Sequence, residues 1–150
     1  MRVAIVVFPG SNCDRDIFEA IKSISKKLPK FIWHKETNIE NFDLIVIPGG
    51  FTFGDYLRCG ALASNSPVIK SIRDHASRGG AILGICNGFQ ILTEAKLLPG
   101  TLIKNSVYRI HSILNGNDQS KNMDITQLLN VIDRKKNMRP ARQIYIYFCF

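Results

Sequence analysis

The stretch Ala81-Ile82-Leu83-Gly84-Ile85-Cys86-Asn87-Gly88-Phe89-Gln90-Ile91-Leu92 decides the fold. A short apolar run of strand length leads to a cysteine set between two glycines, and a helical run leaves it. Glycine on both sides allows a tight strand-to-helix elbow, which a bulky flanking side chain would obstruct. The elbow lifts the sulfur to the carboxyl end of the sheet and the amino end of a helix. The partial positive charge there favours thiolate over thiol. Thiolate is the nucleophilic form, so Cys86 is the candidate to attack an acyl carbon. The alternative is a small residue in a glycine-flanked turn, since free cysteine is often simply core.

Outward from the elbow, the same pattern repeats. Residues 3–8 form a continuous apolar run, as expected for a strand covered on both faces, and 31–33 and 44–47 are two further strand candidates. Between them, Ile17, Ala20, Ile21 and Ile24 mark one face of a helix, with Asp14 and Asp16 in its first turn and Lys26-Lys27 in its last. Ser66-Pro67 opens another helix, Ser as N-cap and Pro at the first helical position, with Val68, Ile69, Ile72 and Ala76 inward. The helix after the elbow is expected to run to about Lys96. Short apolar strands alternating with helices predict an α/β fold, a parallel sheet with helices on both faces. Active sites of such sheets lie at the carboxyl ends of the strands, so the loops after Phe8, Ile47 and Ile85 should converge.

Composition narrows the function. One hundred and fifty residues, 45% of them hydrophobic, suit one domain with its own core. No apolar run is long enough to span a bilayer, and no signal peptide is read at Met1-Arg2, which leaves the cytoplasm as the expected location. The cysteines at 13, 59, 86 and 149 form no CxxC pair, and His34, His75 and His111 have no ligand spacing, so no metal is expected. The net charge of +8 is spread thinly, with small clusters at Lys26-Lys27 and Arg134-Lys135-Lys136. That predicts a solvated basic surface and no nucleic-acid partner.

Acyl transfer by a thiolate also requires donors for the developing oxyanion and an acid for the leaving group. The Asn87 N–H follows the nucleophile, and the glycines of Pro48-Gly49-Gly50-Phe51 let backbone amides approach a ligand; the same glycines also suit a plain strand-ending turn.

Three segments occur in order: Phe8-Pro9-Gly10-Ser11-Asn12-Cys13-Asp14-Arg15-Asp16, then Pro48-Gly49-Gly50-Phe51-Thr52-Phe53-Gly54-Asp55-Tyr56-Leu57-Arg58, then Gly84-Ile85-Cys86-Asn87-Gly88-Phe89-Gln90. Together they resemble the glutamine amidotransferase subunit of phosphoribosylformylglycinamidine synthase, a purine-biosynthesis enzyme, over about two-thirds of the chain. The resemblance implies a class I, triad-type amidotransferase with a flavodoxin-like fold. Cys86 would attack the glutamine side-chain amide and form a glutamyl thioester, with Gly50 and Asn87 supplying oxyanion amides and Gly49, Phe51 and Gln90 completing the glutamine site. Ser11, Asn12, Asp14 and Arg15 would meet a partner. The implied partners are a large synthetase subunit, which takes the ammonia and uses ATP and Mg, and a small accessory subunit. The glutaminase subunit itself needs no metal or cofactor.

From about residue 105 the resemblance ends. The family's catalytic histidine-x-glutamate pair has no match, because the last Glu is Glu94 and the last His is His111, read as a solvated residue. The expected organisation is a partial amidotransferase domain over 1–104 and a divergent tail over 105–150, with a candidate helix at 124–134 and a terminal apolar run that either docks as an edge strand or has no evolved fold. The reading is thus of a C-terminally truncated or divergent chain whose sheet is incomplete at that end. Its alternative function is a non-catalytic docking subunit or a degenerate remnant of the enzyme.

Overall fold

The computed structural model describes residues 1–104 apart from Lys26 and Glu40, with side chains through 102, and the backbone of 110–112 and 144–147. In chain order the elements are β1 (Val3–Val7), α1 (Asp14–Ile24), β2 (Lys30–Trp33), β3 (Leu44–Ile47), α2 (Val68–Ser77), β4 (Ala81–Ile85), α3 (Asn87–Glu94), β5 (Leu102–Lys104), β6 (Ile110–Ser112) and β7 (Ile144–Tyr147). Five strands form one sheet in the order β2-β1-β3-β4-β7, every neighbour parallel, while β5 and β6 pair antiparallel. This is the α/β, flavodoxin-like arrangement. The β7 backbone runs along β4, Ile82 opposite Ile144 and Ile85 opposite Tyr147, so β4 is an interior strand. The helix expected over 124–134 lies outside the described residues.

Alternation along the strands divides the core into two layers. Ala4, Val6, Phe8, Ile45, Ile47 and Ile82 face the inner stripes of α2 and α3, through Val68, Ile72, Ile91 and Leu92. Val3, Ile5, Leu44, Val46, Leu83 and Ile85 face α1 through Ile17 and Ile21. A fully buried aliphatic side chain contributes about 1.5–3 kcal/mol relative to exposure. The central strands β1, β3 and β4 are therefore the most firmly held part of the molecule, and the loops leaving them are anchored at one end by packed core.

Three helix boundaries differ from the sequence reading. Helix α1 stops at Ile24, and Ser25 is extended (φ −93°, ψ 139°), so Lys27 falls beyond the last turn and Lys22 is its basic residue. The apolar stripe is spent at Ile24, and the chain must turn to enter β2. Ser66 does not cap α2. Pro67 occupies the half-helical position, and the Ser66 hydroxyl is hydrogen-bonded to His34 Nδ1 at 3.1 Å. The Val68 N–H is satisfied by the His34 carbonyl, 3.1 Å away, so the end of β2 supplies the cap. Helix α3 ends at Glu94, two residues before Lys96, which has positive φ.

His75, on the buried side of α2, reaches the Ala81 carbonyl through Nε2 at 3.1 Å. A carbonyl only accepts, so Nε2 carries the proton. Burial holds this imidazole below its ordinary titration range, outweighing the Ala81 bond. A group with a depressed folded pKa adds stability above its unfolded pKa and loses it as pH falls toward the folded value. Unfolding free energy should therefore decline as pH drops below about 6.5, the ordinary histidine value. His75→Gln should flatten that decline in urea titrations at pH 7.5 and 5.5; an unchanged slope would assign the acid sensitivity elsewhere.

Candidate functional site

Strand β4 passes into α3 through a single residue, Cys86, held at φ 50°, ψ −107°. For a side-chain-bearing residue this backbone costs about 1–3 kcal/mol. It is forced by how closely α3 lies over the sheet. A Cβ on Gly84 would sit 2.6 Å from Leu92 Cδ1, and one on Gly88 would run into the Ile47 carbonyl oxygen. The two glycines read as turn residues thus act by permitting close approach. The result is an exposed Cys86 above a buried helix start, with its carbonyl accepting the Phe89 and Gln90 N–H groups. As the first helical residue, Asn87 has no intrahelical acceptor for its own N–H.

The loops after β1 and β3 do converge on the elbow. Ser11 and Gly50 form an antiparallel bridge, Cys13 N–H donates to Gly49 O at 3.3 Å, and Phe51 N–H donates to Gly10 O at 3.0 Å. A Cβ on Gly49 would lie 3.4 Å from Cys86 Cβ and 3.6 Å from Cys13 Sγ, so this loop packs directly beside Cys86. Phe51 is committed to Gly10, Thr52 to the Asn87 side chain, Phe53 to Pro9 O and Gly54 to Phe51 O. Among the described residues the Gly50 N–H donates no hydrogen bond. Gly50, at φ 141°, is the loop's available donor, whereas the Phe51 amide is not, and the Phe51 ring is exposed.

The sequence reading missed what fixes this loop. Phe53, Gly54 and Asp55 all have positive φ, of 53°, 67° and 49°. Thr52, next to them, donates its hydroxyl (2.7 Å) and its N–H (3.3 Å) to Asn87 Oδ1. Asn87 Nδ2 donates to Gln90 Oε1 at 2.8 Å and to Asp55 Oδ1 at 3.5 Å, and Asp55 Oδ1 also accepts from Gly60 N–H. Farther out, Arg58 grips Glu94 bidentately at 3.1 and 2.9 Å. The Arg58 hydrogen bond holds the Glu94 carboxyl below its usual range. The one available signal was a polar residue at the buried start of an apolar helix, which must find partners.

Of the residues read as a partner surface, Asn12 and Arg15 are exposed, while Ser11 and Asp14 are half-buried. Ser11 belongs to the floor of the site through its bridge to Gly50, and its hydroxyl is buried with no hydrogen-bond partner. His111 lies in β6 opposite Ile103, and its side chain is outside the described residues. Among the described residues no group of three His, Cys, Asp or Glu side chains is placed to hold a metal ion, and no helix is long and apolar enough to cross a membrane.

Comparison with known proteins agrees with the fold. The family of CobB/CobQ-like glutamine amidotransferase domains matches residues 1–137. The phosphoribosylformylglycinamidine synthase subunit PurQ of Thermosynechococcus vestitus is 59% identical over 105 residues, 70% of this chain and 44% of that one. Its counterpart in Roseobacter denitrificans is 58% identical over 107 residues, 71% and 48% of the two chains. A solved structure described as PurLQS from Thermotoga maritima superposes with a TM-score of 0.66 at 44% identity, covering 71% of this chain and 49% of that one. The chain thus spans about half the length of the relatives it matches. With the elbow, the two converging loops and the family match in agreement, the chain belongs to the CobB/CobQ-like glutamine amidotransferase domains.

Proposed function

We propose that this chain is the glutamine-cleaving subunit of phosphoribosylformylglycinamidine synthase, releasing ammonia for de novo purine synthesis. The observation that carries the reading is the exposed Cys86 at the strained elbow, with Asn87 following it and Gly49 of the 48–51 turn packed against it. The thiolate attacks the δ-carbon of the glutamine amide, and the carbonyl oxygen becomes an oxyanion facing the Gly50 and Asn87 N–H groups. Collapse of the tetrahedral intermediate expels nitrogen, which must be protonated to leave as ammonia, and forms the glutamyl thioester. Water then releases glutamate. Gln90 and the 49–51 segment border the position the substrate would take, and none of these steps calls for a cofactor or metal in this chain.

Ammonia would pass to a large synthetase subunit that consumes ATP with Mg, a small accessory subunit completing the assembly in the cytoplasm. The surface around Asn12 and Arg15 is the proposed contact. The residues present contain no histidine-x-glutamate pair, so attack by the thiolate and departure of ammonia are separable experimentally. The test is mass spectrometry after exposure to a diazo-ketone analogue of glutamine, with Cys86→Ala as control. The expected result is one adduct, on Cys86, suppressed by glutamine. A folded chain that takes no adduct would overturn the reading. A synthetase that responds to this chain with ammonium chloride but never with glutamine would instead make it a docking subunit.

A further inference from the structure

Asn87 meets the site twice, once through its N–H and once through its side chain. Asn87 is 1% exposed and Thr52 is 2% exposed, so their contact is dry. The orientation of the amide follows from chemistry: Thr52 N–H can only donate, so the atom facing it is Oδ1, leaving Nδ2 for Gln90 and Asp55. Thr52 lies two residues after Gly50 and directly before three residues of positive φ. A loop in that conformation keeps its shape only where its surroundings over-determine it. Its inner side is tied to the 9–13 loop, and its outer arm by Arg58 to Glu94. Between those two attachments, the Thr52 hydroxyl makes the shortest link, 2.7 Å, from the loop carrying one oxyanion donor to the residue carrying the other, beside the longer Thr52 N–H and Asp55 contacts to Asn87.

We infer that the Asn87 side chain is a positioning group: through Thr52 it sets the separation of the Gly50 and Asn87 N–H donors around the carbonyl that Cys86 attacks. This rests on the function proposed above and adds to it a residue pair and a specific role. Transition-state stabilisation by such donors depends on their placement before the reaction begins. Loss of the clamp should slow acylation while leaving the sulfur as reactive as before toward reagents that need no oxyanion site.

The experiment uses the γ-(4-nitrophenyl) ester of glutamate. Cys86 thiolate forms the S–C bond, the C–O bond breaks, and nitrophenolate departs with the electron pair, so no acid is required. Single-turnover nitrophenolate release is measured on the whole chain for wild type, Thr52→Val and Thr52→Ser, beside the rate of Cys86 alkylation by iodoacetamide. Removing an oxyanion donor outright costs about 10²–10³-fold, so displacing one should cost roughly 10–100-fold. Thr52→Val should show that loss in ester acylation with the alkylation rate unchanged, and Thr52→Ser should recover the wild-type rate. Should the valine variant not fold, Thr52→Ala removes the same hydroxyl without placing a methyl against Asn87 Oδ1. Wild-type acylation in the valine or alanine variant, or a parallel loss of both reactions there, would overturn the inference alone. A wild type that releases no nitrophenolate would overturn the proposed function, and the inference with it.

Discussion

Gly88→Val should leave the chain largely unfolded. Gly88 is in the first turn of α3, where that turn crosses the end of β3. A Cβ there meets the Ile47 carbonyl oxygen and lies 2.8 Å from the Ile47 carbonyl carbon and 3.1 Å from Ile47 Cβ. The obstacle is backbone, and β3 is hydrogen-bonded on both sides, to β1 and to β4. It cannot retreat without breaking two ladders. Ordinary overpacking of a core costs about 1–3 kcal/mol because side chains rotate away. A clash with a central strand has no such outlet, and a loss above roughly 4 kcal/mol is expected, comparable to the whole stability of a modest domain. Gly79→Ala is the contrast. Its Cβ would meet nothing within 4 Å, so only the positive φ of 79° is penalised, by about 1 kcal/mol. Urea unfolding of the two variants decides the matter: similar midpoints would mean that α3 can lift from β3, and that the elbow is looser than its geometry implies.

That close approach explains why so much of the fold was legible in the sequence. The signals for β1, β3, β4 and the elbow are local: apolar runs of strand length, and glycines within two residues of Cys86. Convergence of the three loops follows from a parallel sheet whose strands all end at one edge. Other features depend on contacts distant in the chain. Ser66 carries a strong local capping signal, yet His34, the last residue before the 35–43 connection, competes for its hydroxyl. Phe51 and Gly50 are indistinguishable as amide donors until Gly10 is seen to occupy the former. The Thr52–Asn87 bond joins two motifs that are separately visible, but neither contains a periodicity that names the other. The placement of β7 beside β4 has the same origin: an aromatic terminal run shows that it needs cover, not which strand provides it.

Cys86→Gly should abolish acylation and at the same time stabilise the protein. Cys86 is exposed, so deleting its side chain forfeits little burial. Its backbone, at φ 50° and ψ −107°, is one that side-chain-bearing residues adopt at a cost of about 1–3 kcal/mol. Glycine removes that penalty and adds roughly 0.5–1 kcal/mol of unfolded-state entropy to overcome. The net gain should be about 1 kcal/mol, a rise in Tm of roughly 4 °C for a domain of this size. Cys86→Ala isolates the cause, since it deletes the sulfur but keeps the Cβ: it should be equally inert toward the nitrophenyl ester and no more stable than wild type. If alanine and glycine stabilise alike, the gain comes from losing the thiol and the backbone at the elbow is relaxed. If glycine alone does, the strain is located at the residue that projects the Cys86 thiol from the end of β4. The sheet, gripping α3 through Gly84 and Gly88, then holds that residue in a conformation its own backbone disfavours, which trades stability for a reactive position.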